Sequence, residues 1–339
     1  MSEPLRIVVL DGYTTSPADA QGVAPEGEPT WDGLRDLGGV TVYPRSADAD
    51  VLDRIGQAEC VIGNKVRFTA ERFERLPNLR YLGLMSTGTD AIDLDAAGRS
   101  GVVVTNIPGY STASVAQHVW AMALALVGKM PEAARAVRDG GWLTSPDFCF
   151  AVGRWHELEG KTLGVVGLGD IGLRVAQIGA ALGMRVLVHS RTPKDVGLEV
   201  EWVGVDEVFA QADVLSLHCP LTEQTRGLVN ADRLARMKPT AVLINTARGA
   251  LVDERALAEA LAAGRIAGAG LDVLAQEPPG VDCPLLGAPN CLITPHLAWA
   301  SVEARHRLMG VLTANLRAWR EGVAQNVVSP RASEPKAGS

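Results

Sequence analysis

The chain has 339 residues, 47% hydrophobic and 21% charged, which suits a globular protein long enough for two domains. A formal net charge of −7 argues against a nucleic-acid partner and leaves any anionic ligand to be drawn by local cations. No apolar run reaches the ~18–20 residues of a bilayer span, so no membrane partner is expected. The start, MSEPLRIVVLDGYT, enters a strand pattern without a signal-peptide layout. Five cysteines, with no C-x-x-C pair, predict reduced thiols, a cytoplasmic setting and no metal site.

In chain order, Arg6–Leu10, Val40–Tyr43, Cys60–Ile62, Arg80–Leu84 and Val102–Thr105 read as short buried strands. Thr69–Leu76 reads as a helix between them, with Thr69 as N-cap. Strands separated by helices predict a parallel sheet covered on both faces. A long helix follows from about Ser111 to Lys129 and stops before Pro131; the aromatic-rich stretch 140–160 reads as an irregular arm. A second alternating set then begins. Its strands are Thr162–Val166, Met184–Val188, Val214–Leu217, Ala241–Ile244, Gly270–Val273 and Leu292–Thr294. A last helix spans about Ser301 to Arg320, with at most a short strand at Asn326–Val328, and residues 331–339 have the composition of a disordered tail. The predicted fold class is α/β, with two doubly wound parallel-sheet domains and a ligand cleft between them.

The stretch TLGVVGLGDIG at 162–172 carries the strongest local signal. An apolar strand runs into Gly167-x-Gly169-x-x-Gly172 and a helical pattern follows at once, which is the context a dinucleotide site demands. The first glycine allows the tight turn, the second lets a pyrophosphate approach the backbone, and the third lets helix pack on strand. An NAD site usually places an acidic residue ~20 positions on, to accept from the ribose 2′-hydroxyl. Here the next strand ends in His189-Ser190-Arg191-Thr192, with no Asp or Glu between Ile171 and Lys194. A hydroxyl beside a planar cation suits a 2′-phosphate, so the cofactor is NAD(P), with NADP favoured from Ser190 and Arg191.

Reduction of a keto acid needs a cation for the carboxylate and carbonyl, an acid for the forming alkoxide, and a group that keeps the acid charged. Arg248 in INTARGALVD, Glu277 in GLDVLAQEPP and His296 in ITPHLAW each follow a predicted strand, at the sheet edge where open α/β folds bind ligands. A carboxylate beside an imidazole favours the charged ring and fixes its tautomer. The loop Asn64-Lys65-Val66-Arg67 adds two cations that would suit a substrate bearing a second anionic group.

The stretches STGTDAID at 86–93, VTNIPGYSTASVAQH at 104–118, ELEGKTLGVVGLGDIG at 157–172, HCPLT at 218–222, INTARG at 244–249 and TPHLAW at 294–299 resemble the D-isomer-specific 2-hydroxyacid dehydrogenases, most closely the glycerate dehydrogenase (hydroxypyruvate reductase) branch. The resemblance covers about residues 5–328. It implies a flavodoxin-like substrate domain from 1–109 and 301–330, and a Rossmann dinucleotide domain from 110–300. It also implies a homodimer built on the helix from Ser111 and the arm to about Gly153. It places the catalytic residues on Arg248, Glu277 and His296, with His296 protonating the substrate oxygen. Lys65, Thr87, Gly88 and Arg248 would meet the substrate. Thr87, Gly167, Gly169, Asp170, Ile171, Gly172, Ser190, Arg191, Cys219, Thr246, Asp272, His296 and Ala298 would meet the cofactor.

Two departures stand out. NAD-type members carry Asp where Ser190 stands, and Asp170 replaces a frequent Arg or Lys. The expected activity is interconversion of a small 2-keto acid, hydroxypyruvate or glyoxylate, with its D-2-hydroxy acid. The alternatives are a specialised dehydrogenase acting on a phosphate- or phosphonate-bearing hydroxy acid and, in another class, a cofactor-sensing corepressor. A corepressor would need an added interaction region, which the chain does not supply.

Overall fold

The computed structural model describes residues 4–16 and 25–330; the tail expected at 331–339 lies outside them. The chain divides into two compact units, Met1–Ser111 with Ala300–Ser339, and Thr112–Trp299.

The first unit holds strands β1 (Leu5–Val9), β2 (Gly38–Val42), β3 (Cys60–Gly63), β4 (Tyr81–Leu84) and β5 (Val103–Thr105), with short helices α1 (Asp32–Arg35), α2 (Val51–Ile55), α3 (Ala70–Glu74) and α4 (Leu94–Arg99). The strands pair in parallel in the order β2-β1-β3-β4-β5, the flavodoxin-like order. β3 and β4 are buried along their whole length, as a parallel sheet covered on both faces requires. Thr69 caps α3 by accepting from the Arg72 N–H.

The second unit begins with α5 (Thr112–Val127) and α6 (Met130–Arg138). It continues through β6 (Thr162–Val166), α7 (Asp170–Ala181), β7 (Arg185–His189), β8 (Glu201–Trp202), α8 (Val205–Gln211), β9 (Val214–Leu217), α9 (Ala231–Arg236), β10 (Val242–Asn245), α10 (Glu254–Ala262), β11 (Gly268–Leu271) and β12 (Cys291–Ile293). All strands pair in parallel, in the order β12-β11-β10-β9-β6-β7-β8. Strand order reverses between β6 and β9, the point where such sheets open a ligand crevice at their carboxyl edge. Alternate strand residues feed two cores. Leu217, Leu243 and Leu271 pack with Phe209 and Leu257 on one face, and Val165, Val188 and Ile244 pack with Trp120 and Val175 on the other.

The chain then returns to the first unit with α11 (Val302–Arg320). Ala304, Leu308, Leu312 and Leu316 are buried at four-residue spacing, an apolar stripe that seats the helix, and Trp319 meets Tyr81 of β4 at 5.1 Å between ring centroids.

The strands expected from the sequence all form, with ends shifted by one or two residues. Helix α6 was not expected, because Pro131 reads as a stop. The structure instead places Pro131 in the first turn of a new helix, where a missing N–H costs nothing. Lys129, with φ 54°, supplies the break from α5. The two-residue β8 is too short to carry a periodicity, and the segment at Asn326–Val328 contributes one antiparallel bridge, Val327 to Thr105. Among the described residues no helix is long and apolar enough to cross a membrane.

Candidate active site

The glycine turn after β6 is built as the motif requires. Gly167 has φ 93°, and a Cβ there would sit 2.7 Å from the backbone of His218 and Cys219. A Cβ on Gly172 would sit 2.2 Å from the Gly167 carbonyl oxygen. Gly169 is different: it caps α7 without a side-chain bond, and a Cβ there would meet nothing within 4 Å. Open space therefore lies before the first-turn N–H groups of α7, as a pyrophosphate needs. Asp170 is exposed in that first turn, where a carboxylate also suits the helix dipole. At the end of β10, the Thr246 hydroxyl is buried with no protein partner, a polar atom placed for a ligand. These features fit a dinucleotide cofactor.

After β7, Ser190 is half-buried and Arg191 exposed. Asp195 accepts from the Gly197 N–H at 3.0 Å, so the nearest downstream acid closes a local turn. Cys219 is half-buried, and burial raises its thiol pKa.

The chemistry gathers at the ends of the neighbouring strands β10, β11 and β12. Arg248 follows β10 and its Nη1 donates to the Ala247 carbonyl at 2.8 Å. The buried Asn245 shapes this turn, donating to the Arg248 carbonyl at 2.9 Å and accepting from the Ala247 N–H at 3.0 Å. Glu277 follows β11, and its Oε2 lies 2.6 Å from His296 Nδ1. Its Oε1 accepts from the Leu274 N–H at 3.1 Å. With Nδ1 committed to the carboxylate, Nε2 is the ring atom left to carry a proton to or from a substrate.

His296 itself has φ 53°, a left-handed conformation that costs a non-glycine residue about 1–3 kcal/mol and persists only where its surroundings impose it. Asp272, 1% exposed, imposes it. The Asp272 carbonyl accepts from the His296 N–H at 2.8 Å. Its Oδ1 accepts from the Leu297 N–H, and its Oδ2 from the Ala298 N–H, both at 2.9 Å. Asp272 thus stands behind the turn, its carboxylate accepting from two backbone N–H groups and from the Thr294 hydroxyl.

Gly249 links Arg248 to Glu277. A Cβ on Gly249 would fall 1.9 Å from the Leu274 carbonyl carbon and 2.3 Å from the Ala275 nitrogen. Gly249→Ala must therefore push away the segment that carries Glu277. Turnover is expected to fall by about 10-fold to 100-fold, since a ~1 Å misplacement costs about that much. Steady-state kcat and the melting temperature, measured together, check it, and unchanged kcat would refute the coupling.

In the first unit, Asp11 lies two residues past β1 and accepts from the backbone N–H groups of Asn64 at 2.9 Å and Lys65 at 2.6 Å. Burial raises the Asp11 pKa, and these N–H donors oppose the rise. Lys65 is exposed. The Thr87 hydroxyl donates to the Ile107 carbonyl at 2.7 Å, and Ser86 Oγ donates to the Gly88 carbonyl at 2.7 Å. The loop is thereby fixed by its own side chains, which leaves its backbone for an anion. Asp11, Asn245, Ser114, His118 and Thr294 were not singled out in the sequence as site residues. Asp11 and Asn245 had one usable signal, a polar residue at the carboxyl end of a buried strand.

The family profile described as D-isomer specific 2-hydroxyacid dehydrogenase, NAD binding domain, matches residues 120–298. A hydroxypyruvate reductase from Blautia hydrogenotrophica is 41% identical over 96% of this chain and 100% of its own length. A glycerate dehydrogenase from Methylorubrum extorquens is 42% identical over 82% of this chain and 88% of its own length. Among solved structures, an NADPH-dependent glyoxylate/hydroxypyruvate reductase from Sinorhizobium meliloti, in complex with NADP and malonate, superimposes with a TM-score of 0.82 at 30% identity, covering 99% of this chain and 100% of that one. Sequence, fold and relatives agree: the chain belongs to the D-isomer-specific 2-hydroxyacid dehydrogenases and is an NAD(P)-dependent oxidoreductase.

Proposed function

We propose that the protein reversibly reduces hydroxypyruvate or glyoxylate to D-glycerate or glycolate, and that Arg248, Glu277 and His296 carry the reaction. The observation that carries this reading is the 2.6 Å contact between His296 Nδ1 and Glu277 Oε2, one strand from Arg248. The names of the relatives support the substrate class. When bound, the reduced nicotinamide supplies a hydride to the carbonyl carbon. The protein's residues do the rest. The Arg248 guanidinium holds the substrate carboxylate and polarises the carbonyl, helped by Lys65 and the backbone at Thr87 and Gly88. His296 gives its Nε2 proton to the oxygen that becomes the hydroxyl, and the Glu277 carboxylate stabilises the imidazolium beforehand. In the reverse direction the neutral ring takes that proton back.

Gly167, Gly169, Asp170, Ile171, Gly172, Cys219, Thr246, Asp272 and Ala298 are assigned to the cofactor side, and Ser190 with Arg191 to a 2′-phosphate. Ser190→Asp is expected to move the kcat/KM ratio towards NADH by about 10-fold or more, because a carboxylate repels the phosphate. An unchanged ratio contradicts the assignment. The protein is further read as a cytoplasmic homodimer. Its five cysteines are free. The segment from Leu124 to Trp155 exposes Met130, Trp142, Leu143, Phe148 and Trp155 at 53–90%, an apolar surface of the kind that marks an interface. A monomer in sedimentation equilibrium would overturn that part.

One observation favours a second reading, a substrate with a further anionic group. A cavity of about 300 Å³ at the β1/β3 switch point of the first unit is lined by Asp11, Arg45, Ser46, Asp48, Lys65 and Arg67. Asp11 serves the backbone and Asp48 pairs with Arg72 at 2.8 Å, so cations dominate. Initial rates with hydroxypyruvate, glyoxylate and phosphonopyruvate, each with NADH and NADPH, decide between the readings. The first predicts the highest kcat/KM for hydroxypyruvate or glyoxylate, and the second for phosphonopyruvate. Turnover of none of the three refutes both.

A further inference from the structure

The turn that bears His296 is held from behind by a helix. α5 is anchored in the core through Val115, Ala116, Val119, Trp120 and Ala123, and the Trp120 indole donates to the Val175 carbonyl of α7 at 3.1 Å. Ser114 and His118 lie four residues apart on α5, on one face and one turn from each other. Ser114 Oγ donates to the Ala298 carbonyl at 2.6 Å. His118 Nε2 meets Thr294 Oγ1 at 2.9 Å. The two side chains bracket the segment 294–298 at its two ends, with the left-handed His296 between them.

The direction of the second bond follows from its neighbours. Thr294 Oγ1 lies 2.6 Å from Asp272 Oδ1, and a carboxylate only accepts, so the threonine proton goes to Asp272. The same oxygen must then accept from His118, which puts a proton on Nε2. The result is a relay in one direction: His118 N–H to Thr294 O–H to Asp272 carboxylate. Asp272 Oδ1 also holds the Leu297 N–H and Oδ2 the Ala298 N–H. His118 Nε2 is itself 3.7 Å from Asp272 Oδ1, and the two side chains are 19% and 1% exposed. Asp272, the accepting end of the relay, is thus shielded from water, where such bonds polarise one another.

We infer that His118 is a positioning residue for the reaction: through Thr294 and Asp272 it fixes the strained turn that aims His296. This rests on His296 being the proton donor. His118 acts by removing the turn's freedom to relax out of its left-handed conformation. A misaimed imidazole slows proton transfer more than it weakens binding.

The test compares His118→Leu, which removes the donor, with His118→Gln, whose amide reaches a similar place with an N–H. His118→Leu is expected to lower kcat about tenfold, the equivalent of one lost hydrogen bond of ordinary strength, with KM for the keto acid and NADPH affinity by nucleotide fluorescence within about threefold of the parent. His118→Gln is expected to restore kcat to within about threefold of the parent. In a Thr294→Val background, His118→Leu is expected to add almost nothing, since the relay is already cut. Equal kcat in parent and His118→Leu overturns the inference, as does a glutamine variant as impaired as leucine, or full additivity with Thr294→Val. A His296→Ala variant measured alongside keeps the two readings apart. If it retains turnover, the assignment of His296 fails; if it loses turnover while His118→Leu does not, only the positioning role fails.

Discussion

His296→Ala should lower kcat for keto-acid reduction at least about 100-fold, the usual worth of a positioned general acid. His296 Nδ1 is held 2.6 Å from Glu277 Oε2, so the ring's orientation is set before substrate arrives and Nε2 is the atom that can give a proton. Alanine removes the donor and leaves the forming alkoxide to water, while the glycine turn and the mouth of α7, to which the cofactor is assigned, are built from other residues. NADPH affinity is therefore expected to stay within a few-fold. Steady-state kinetics with fluorescence titration of the coenzyme checks both halves, and a variant with near-parent kcat would remove His296 from the chemistry. Glu277→Gln should impair kcat less, because the amide still orients the ring but no longer stabilises its positive form.

Arg248→Ala should raise KM for the keto acid by about 100-fold and lower kcat as well. A charged guanidinium offers two parallel N–H donors to a carboxylate, a geometry that no neighbouring group in the 245–249 turn can copy. Hydrogen bonds to a charged group contribute about 1.5–3 kcal/mol, which converts to roughly 10-fold to 150-fold in binding. The loss in kcat follows because the same cation polarises the carbonyl as charge builds on its oxygen. Arg248→Lys should recover part of KM but little of kcat, since one point charge cannot serve both oxygens. An unchanged KM in Arg248→Ala would contradict the assignment.

What the sequence made legible is what nearest-neighbour chemistry writes into it. The β6 turn was readable because Gly167, Gly169 and Gly172 answer three separate local demands, and the structure shows two of them as close approaches and the third as open space. The parallel sheets were readable because apolar runs with no polar alternation have to be buried on both faces. The placement of Arg248, Glu277 and His296 at strand ends came from counting residues past each run. The remainder depends on contacts that local pattern cannot report. His118 and Thr294 are 176 residues apart, a separation that no local pattern bridges. Asp11 serves a loop 53 residues away. Gly249 looks like any turn glycine until Leu274 is laid across it. Helix α6 was not legible because Pro131 after a helical run reads as a stop, and only the left-handed backbone at Lys129 shows the restart.

His296, backed by Glu277, is expected to face the oxygen of a bound 2-oxo acid. A crystal structure with NADP and oxamate, a carboxylate-bearing mimic that cannot be reduced, tests it most directly. His296 Nε2 is expected about 2.6–3.2 Å from the amide oxygen of oxamate, with the Arg248 guanidinium on its carboxylate. Oxamate bound with His296 turned away from that oxygen, or with another acid in its place, would contradict it.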